Sequence, residues 1–165
     1  MKSRKFWVVR AGRQGSADLL FLKENSIALS DSEMGDLKQL PDDRASFYQA
    51  YANQHPDALR VAVAGIGGKY YRFVHEIAIG DIILYPSLID RHLHCAVVKG
   101  RYSFRRTAAW KEFPHRRGVE WLTSFPLDAL SVEARRELGA ARTLFLFKRH
   151  VHEAVRISRL EKLLG

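Results

Sequence analysis

Apolar residues follow two rhythms along this chain. Up to about residue 80, short apolar runs are separated by stretches with a helical repeat; beyond it the pattern becomes alternating or continuously apolar. "KFWVVRAG" (Lys5–Gly12) predicts an opening strand ended by glycine. "SADLLFLKEN" (Ser16–Asn25) predicts a short helix, with Ser16 as its cap and Asp18 in its first turn. "SIALS" (Ser26–Ser30) is a short buried strand, and the segment through Asp43 is a loop broken by Gly35 and Pro41. A helix restarts over Asp43–Gln54, where Phe47 and Tyr51 share a face. "DALRVAVAGIGG" is ambiguous: its Val/Ala alternation suits a strand, its small residues a closely packed helix. Tyr70, Phe73, Val74 and Ile77 then form a helical stripe, with Gly80 beyond its end.

After Gly80 come "DIILYP", "LHCAVVKGRYSF", "RGVEWLTSF" and "RTLFLF", each read as a strand. "SVEARREL" (Ser131–Leu138) is a short helix capped by Ser131. The segment 149–165 is a basic amphipathic helix or linker, following a main unit over residues 1–148. Five or six strands with helices inserted between them predict an α+β fold around a small curled sheet.

Composition narrows the function classes. A chain of 165 residues that is nearly half hydrophobic suffices for one core. The single cysteine, Cys95, precludes an internal disulfide framework and a cysteine-cluster zinc site, which fits a reducing, cytoplasmic setting. No stretch approaches the ~20 apolar residues of a membrane span. The net charge of +9 is concentrated late: residues 86–165 hold sixteen Lys/Arg against eight Asp/Glu. Such a field attracts phosphate backbones or another acidic surface.

The candidate catalytic features are weak. His92-x-His94 and His150-x-His152 could each direct two imidazoles to one face, but no third metal ligand stands at a usable spacing. Cys95 lies in the apolar run "CAVV" and reads as a buried small residue. "GIGG" matches neither standard phosphate-loop pattern, and no hydrolase elbow or two-metal nuclease motif occurs. The expectation is a binding module with no metal and no cofactor.

The order of motifs carries a resemblance. A "W-x-V-R-A-G" strand, an "I-A-L" strand and "G-D-L" are followed by "F-V-H-E-I-x-I-G-D-I-I-L-x-P-S". Then come "V-x-G-x-Y-x-F", "H-x-R-x-V-E-W" and "F-P-x-D-A-L-S…L-G-A…T-L-F". From Trp7 to Phe147 this resembles the EVE-like, PUA-clan domain at the N-terminus of Mrr-type modification-dependent restriction endonucleases. The resemblance implies a small β-barrel whose mouth holds one flipped, modified base, in a restriction or phage-defence setting. Cleavage would come from a separate or fused nuclease. Relatives within the clan that read modified RNA supply an alternative, and a protein-interaction adaptor with a basic docking face is another. The chain departs from the family where "IALSD" replaces "I-A-(I/L)-G-W", so Ser30 and Asp31 occupy the places of the Gly and the Trp near the pocket. A different base, a hydrogen-bonding pocket or no base pocket all fit that departure.

A base held outside its stack needs aromatic walls and edge readers. Trp7, Tyr70 and Tyr71 are the wall candidates, with Trp121 closer to a core residue, and Ser30, Asp31 and Ser87 are the edge readers. Arg10, Arg13, Arg101, Arg105, Arg106, Arg116 and Arg117 are the candidate contacts to the nucleic-acid backbone, several of them interleaved with aromatics in "KGRYSFRRTAAWKEF".

Overall fold

The computed structural model describes residues 3–164. Six strands form one mixed sheet: β1 (Phe6–Val9), β2 (Ser26–Leu29), β3 (Ile82–Pro86), β4 (His92–Phe104), β5 (His115–Pro126) and β6 (Leu144–Leu146). The strand order is β2-β5-β4-β3-β1-β6, and only β1 and β3 run parallel. Strands β2 and β6 are edges that do not pair with each other, so the sheet is open and no closed barrel forms. Register shifts between Cys95 and Ala96, and between Val98 and Tyr102, bend the long β4–β5 ribbon. Gly100 and Gly118 make that bend possible: a Cβ on Gly100 would lie 3.2 Å from the Gly118 amide nitrogen.

The strands read as apolar runs because both faces of the sheet are covered. Trp7, Val9, Ile83, Tyr85, Ala96 and Val98 enter one core, and their neighbours Val8, Ile82, Leu84, Cys95 and Val97 enter the other. The first core is closed by α1 (Asp18–Lys23), α2 (Arg44–Gln54) and α3 (Arg60–Tyr71), the last continuing as a wider π turn over Arg72–Glu76. The second is closed by α4 (Val132–Leu138), α5 (Val151–Ser158) and α6 (Leu160–Leu163). The closing basic segment is thus a helix pair that buries Ala154 and Leu160. No helix among the described residues is long and apolar enough to cross a membrane.

Local rules account for most boundaries. Asp43 caps α2 by accepting from the Ser46 amide at 2.7 Å, and Ser131 caps α4 by accepting from the Ala134 amide at 3.1 Å. The ambiguous stretch is helical. Its small residues let α3 approach α2 so closely that a Cβ on Gly67 would sit 2.8 Å from the Tyr48 ring. Ser16 does not cap α1; Ala17 holds that position without a side-chain bond. Asp18 is instead buried, accepting from the hydroxyls of Tyr85 and Ser87.

Trp7 is a core residue, not a pocket wall. It is fully buried on β1 and donates its indole N–H to Asp81 at 2.9 Å. The same Asp81 carboxylate accepts from the amides of Lys5 at 3.1 Å and Ala78 at 2.9 Å. Asp81→Ala strands these three donors at the junction of α3, β1 and β3. We expect a loss of about 2–4 kcal/mol by urea unfolding, since each buried orphan costs ~1–3 kcal/mol. Trp7→Phe, which leaves both amides bonded, should keep the carboxylate in place and fold with native far-UV dichroism.

Candidate functional site

A cleft of about 530 Å³ opens where the curled sheet fails to close. The end of β1 and the loop Arg10–Ser16 form one wall, and Ala28, Leu29 and Ser30 from β2 form the opposite one. Tyr85 and Pro86 from β3, Lys69 from α3, Leu88, Glu112, Phe113 and Thr143 complete the lining. This volume lies within the ~300–1,000 Å³ typical of small-ligand sites.

The Arg10–Ser16 loop owes its path to two glycines with positive φ, Gly12 at 73° and Gly15 at 76°. A Cβ on Gly12 would meet Ser16 Oγ at 2.5 Å and the Phe113 ring at 2.7 Å, so this turn lies directly on the aromatic side of the cleft. The opposite rim is fixed through Asp18. Ser87 donates to Asp18 at 2.8 Å while accepting from the amides of Ile89 at 3.1 Å and Asp90 at 3.3 Å, which locks the turn after β3.

Three cations line this cleft against one carboxylate, Glu112. The Arg10 guanidinium is committed to structure: it donates to the carbonyls of Leu138, Ala140 and Arg142 at 2.8–2.9 Å, satisfying the end of α4. Arg13 is exposed, and Lys69 is half-buried; neither has a salt-bridge partner among the described residues. Burial, reinforced by the nearby Arg72 charge, lowers the Lys69 ammonium below its ordinary value. Its Nζ lies 4.9 Å from the Tyr70 ring centroid.

Of the residues expected at a base pocket, Ser30 lines the cleft and the others lie elsewhere. Tyr70 is buried, donates to the Ser30 carbonyl and packs edge-on to His115. Tyr71 faces α2 and donates to Asp42 at 2.8 Å. Ser87 is wholly buried beneath the rim. Asp31 sits beside the cleft, paired with Arg106 at 2.8 Å. Partial burial pushes its carboxyl up, but hydrogen bonds from Arg106 and the Glu33 amide outweigh this and hold it below the ordinary range. Trp121 donates its indole N–H to the Phe21 carbonyl at 2.8 Å.

The arginines expected on a nucleic-acid backbone divide in the same way. Arg10 and Arg13 lie at the cleft. Arg116 and Arg117 are buried and cannot reach a phosphate. Arg116 donates to the Phe113 carbonyl at 2.7 Å, and Arg117 to the carbonyls of Phe73, Ile77 and Gly100 at 2.8–2.9 Å. Burial brings the Arg117 guanidinium down to about 10. Arg101 borders a separate recess with His75 and Lys38, and Arg105 is exposed.

Sequence reasoning missed Lys69, Glu112, Phe113 and Tyr85. The signal available was the spacing of Gly12 and Gly15 within "RAGRQGS", which marks a loop built for close approach. One histidine of each pair is bonded to a carboxylate. His94 bonds Asp90 at 2.7 Å and His150 bonds Glu137 at 2.8 Å, and no cluster of three metal-ligating residues occurs among the described residues. Cys95 is fully buried, and burial pushes its thiol up to about 12.

The fold is that of a mixed α/β domain with a ligand-sized cleft at the seam of its sheet. Residues 7–145 match a family model described as a domain of unknown function (DUF8426), and the chain belongs to that family. No curated protein matches the chain.

His115 gives the neighbourhood of the cleft a measurable acid response. Its ring is fully buried among Tyr70, Tyr102 and Phe104; Nδ1 meets the Tyr102 hydroxyl at 2.8 Å, and Nε2 has no partner. Burial lowers its pKa from 6.5 to about 4. The unfolded chain therefore binds the proton first, so stability from this group is full above pH 6.5 and is lost as pH falls towards 4. The loss is roughly 3 kcal/mol, and His115→Gln should flatten that limb in a pH series of urea melts.

Proposed function

We propose that this chain is a non-catalytic module that binds modified DNA and holds one extruded nucleotide in the cleft between β1 and β2. The observation that carries the reading is Lys69, a half-buried cation in the wall of a nucleotide-sized cleft, with no salt-bridge partner among the described residues. A buried unpaired charge is costly, and an anionic ligand offsets that cost. Arg13, exposed on the facing loop, adds a second free cation.

The cleft also offers hydrogen-bonding groups at its edges. Ser30, Ser16 and Gln14 can donate or accept, and the Glu112 carboxylate can accept from an exocyclic amino group, as carboxylates do from cytosine. Aromatic surface is limited to Phe113 and Tyr85, both largely buried. Of the three readings left open by "IALSD", these groups favour a pocket that relies on hydrogen bonds more than stacking. Extruding a base costs a few kcal/mol, which phosphate contacts and edge hydrogen bonds together can offset.

On this reading the curled sheet is an opened form of the PUA-type barrel expected from the EVE-like resemblance, with the cleft at its mouth. Cutting would fall to a partner or fused nuclease in a restriction or phage-defence system.

The test is a titration of short duplexes with and without 5-methylcytosine or N6-methyladenine, and of a matched RNA, at several salt concentrations. A modified duplex should bind most tightly. Lys69→Gln should weaken binding to modified and plain duplexes alike and reduce the salt slope by about 1. Glu112→Gln should instead erode the preference for modified DNA, by ~1–3 kcal/mol. Tighter binding of the RNA would transfer the cleft to a modified-RNA reader. Indifference to both nucleic acid and salt would leave a docking surface for an acidic protein.

A further inference from the structure

A second recess of about 450 Å³ lies along the free edge of β6, lined by Arg72, Arg142, Lys148 and Arg149 over an apolar floor of Phe145 and Leu146. Its one acid, Glu137, is already consumed. One carboxylate oxygen accepts from the amides of Lys148 at 2.7 Å and Arg149 at 3.0 Å, and the other from the His150 amide at 3.0 Å and ring at 2.8 Å. Partial burial raises the Glu137 carboxyl, but these donors outweigh it and keep it ionised well below the ordinary range. Glu137 therefore serves as a clamp on the turn that carries Lys148 and Arg149.

Arg72 is the least satisfied group in this recess. Its Nε is buried with no hydrogen-bond partner, and one terminal nitrogen reaches the Leu144 carbonyl only at 3.4 Å. Arg44 and Arg142 both repel it. Glu76, whose charge favours the Arg72 guanidinium, is engaged by Arg44 at 2.6 Å. Arg72 with its orphaned N–H and the three further cations of the recess form a site complementary to an anion with several acceptor oxygens.

The two recesses adjoin. Lys69 and Arg72, one helical turn apart, line one each, and so do the consecutive residues Thr143 and Arg142. We propose that Arg72, Arg142, Lys148 and Arg149 bind a phosphate group of the strand that enters the cleft, so that the nucleic acid passes over the edge of β6. This rests on the cleft reading above, and it places the strand away from the Arg101–Arg106 segment singled out by sequence.

The test compares the wild-type protein, the Arg142→Gln/Arg149→Gln double variant and Lys69→Gln. Both replaced arginines are exposed, so the double variant should melt as the wild type does. Three probes separate the sites: a duplex bearing one 5-methylcytosine, 5-methyldeoxycytidine monophosphate, and inorganic phosphate. The double variant should bind the duplex about tenfold more weakly, with a salt slope lower by roughly 1–2, yet bind the mononucleotide as the wild type does. Lys69→Gln should weaken both. An unchanged duplex affinity and slope in the double variant would overturn the edge site. So would an equal loss on duplex and mononucleotide, or a response to inorganic phosphate alone. If Lys69→Gln changes nothing while the double variant loses slope, the cleft reading fails and the edge site stands.

Discussion

The arrangement of this domain depends on one buried carboxylate. Asp81 stands where the long α3 segment ends and β3 begins, and its oxygens gather the Trp7 indole, the Lys5 amide and the Ala78 amide. That bonding fixes β1 beside β3 in the one parallel pairing of the sheet. Everything downstream on β1 follows from this placement, including the Arg10–Ser16 loop that walls the cleft. An isolated buried carboxylate is unfavourable, but one that accepts three N–H groups is both stabilised and positioned.

The same logic governs the arginines. Arg10, Arg116 and Arg117 each donate to carbonyl oxygens at chain ends that no regular ladder satisfies. A guanidinium has five donors in a fixed fork, so it can close the end of a helix or a loop while buried. Such arginines add to the formal charge but offer nothing to a ligand. The cations left without a carboxylate partner among the described residues include Arg13 and Lys69 at the cleft and the group around Arg72 at the β6 edge.

This explains how far the sequence could be read. The strands after Gly80 were legible because both faces of the sheet are buried and the apolar runs are nearly continuous. The cap at Ser131 was legible because its partner is local. The cap expected at Ser16 fails because Asp18 is drawn into a long-range bond with Tyr85 and Ser87. For the site, residue type identified arginines and aromatics, but not which of them spend their donors and ring faces on the interior. Trp7 and Arg117 look functional in the chain and are buried in the fold; Lys69, hidden in a glycine-rich helix, lines the cleft.

The burial of Cys95 has a practical side. It is the chain's one thiol, it lies on the central strand β4 in the core beneath α4–α6, and its pKa is pushed up to about 12. Alkylating reagents need both access and thiolate, and the native molecule supplies neither. The rate at which this sulfur is captured therefore clocks the opening of that half of the interior. The protein carries an intrinsic reporter of breathing on the side of the sheet away from the cleft.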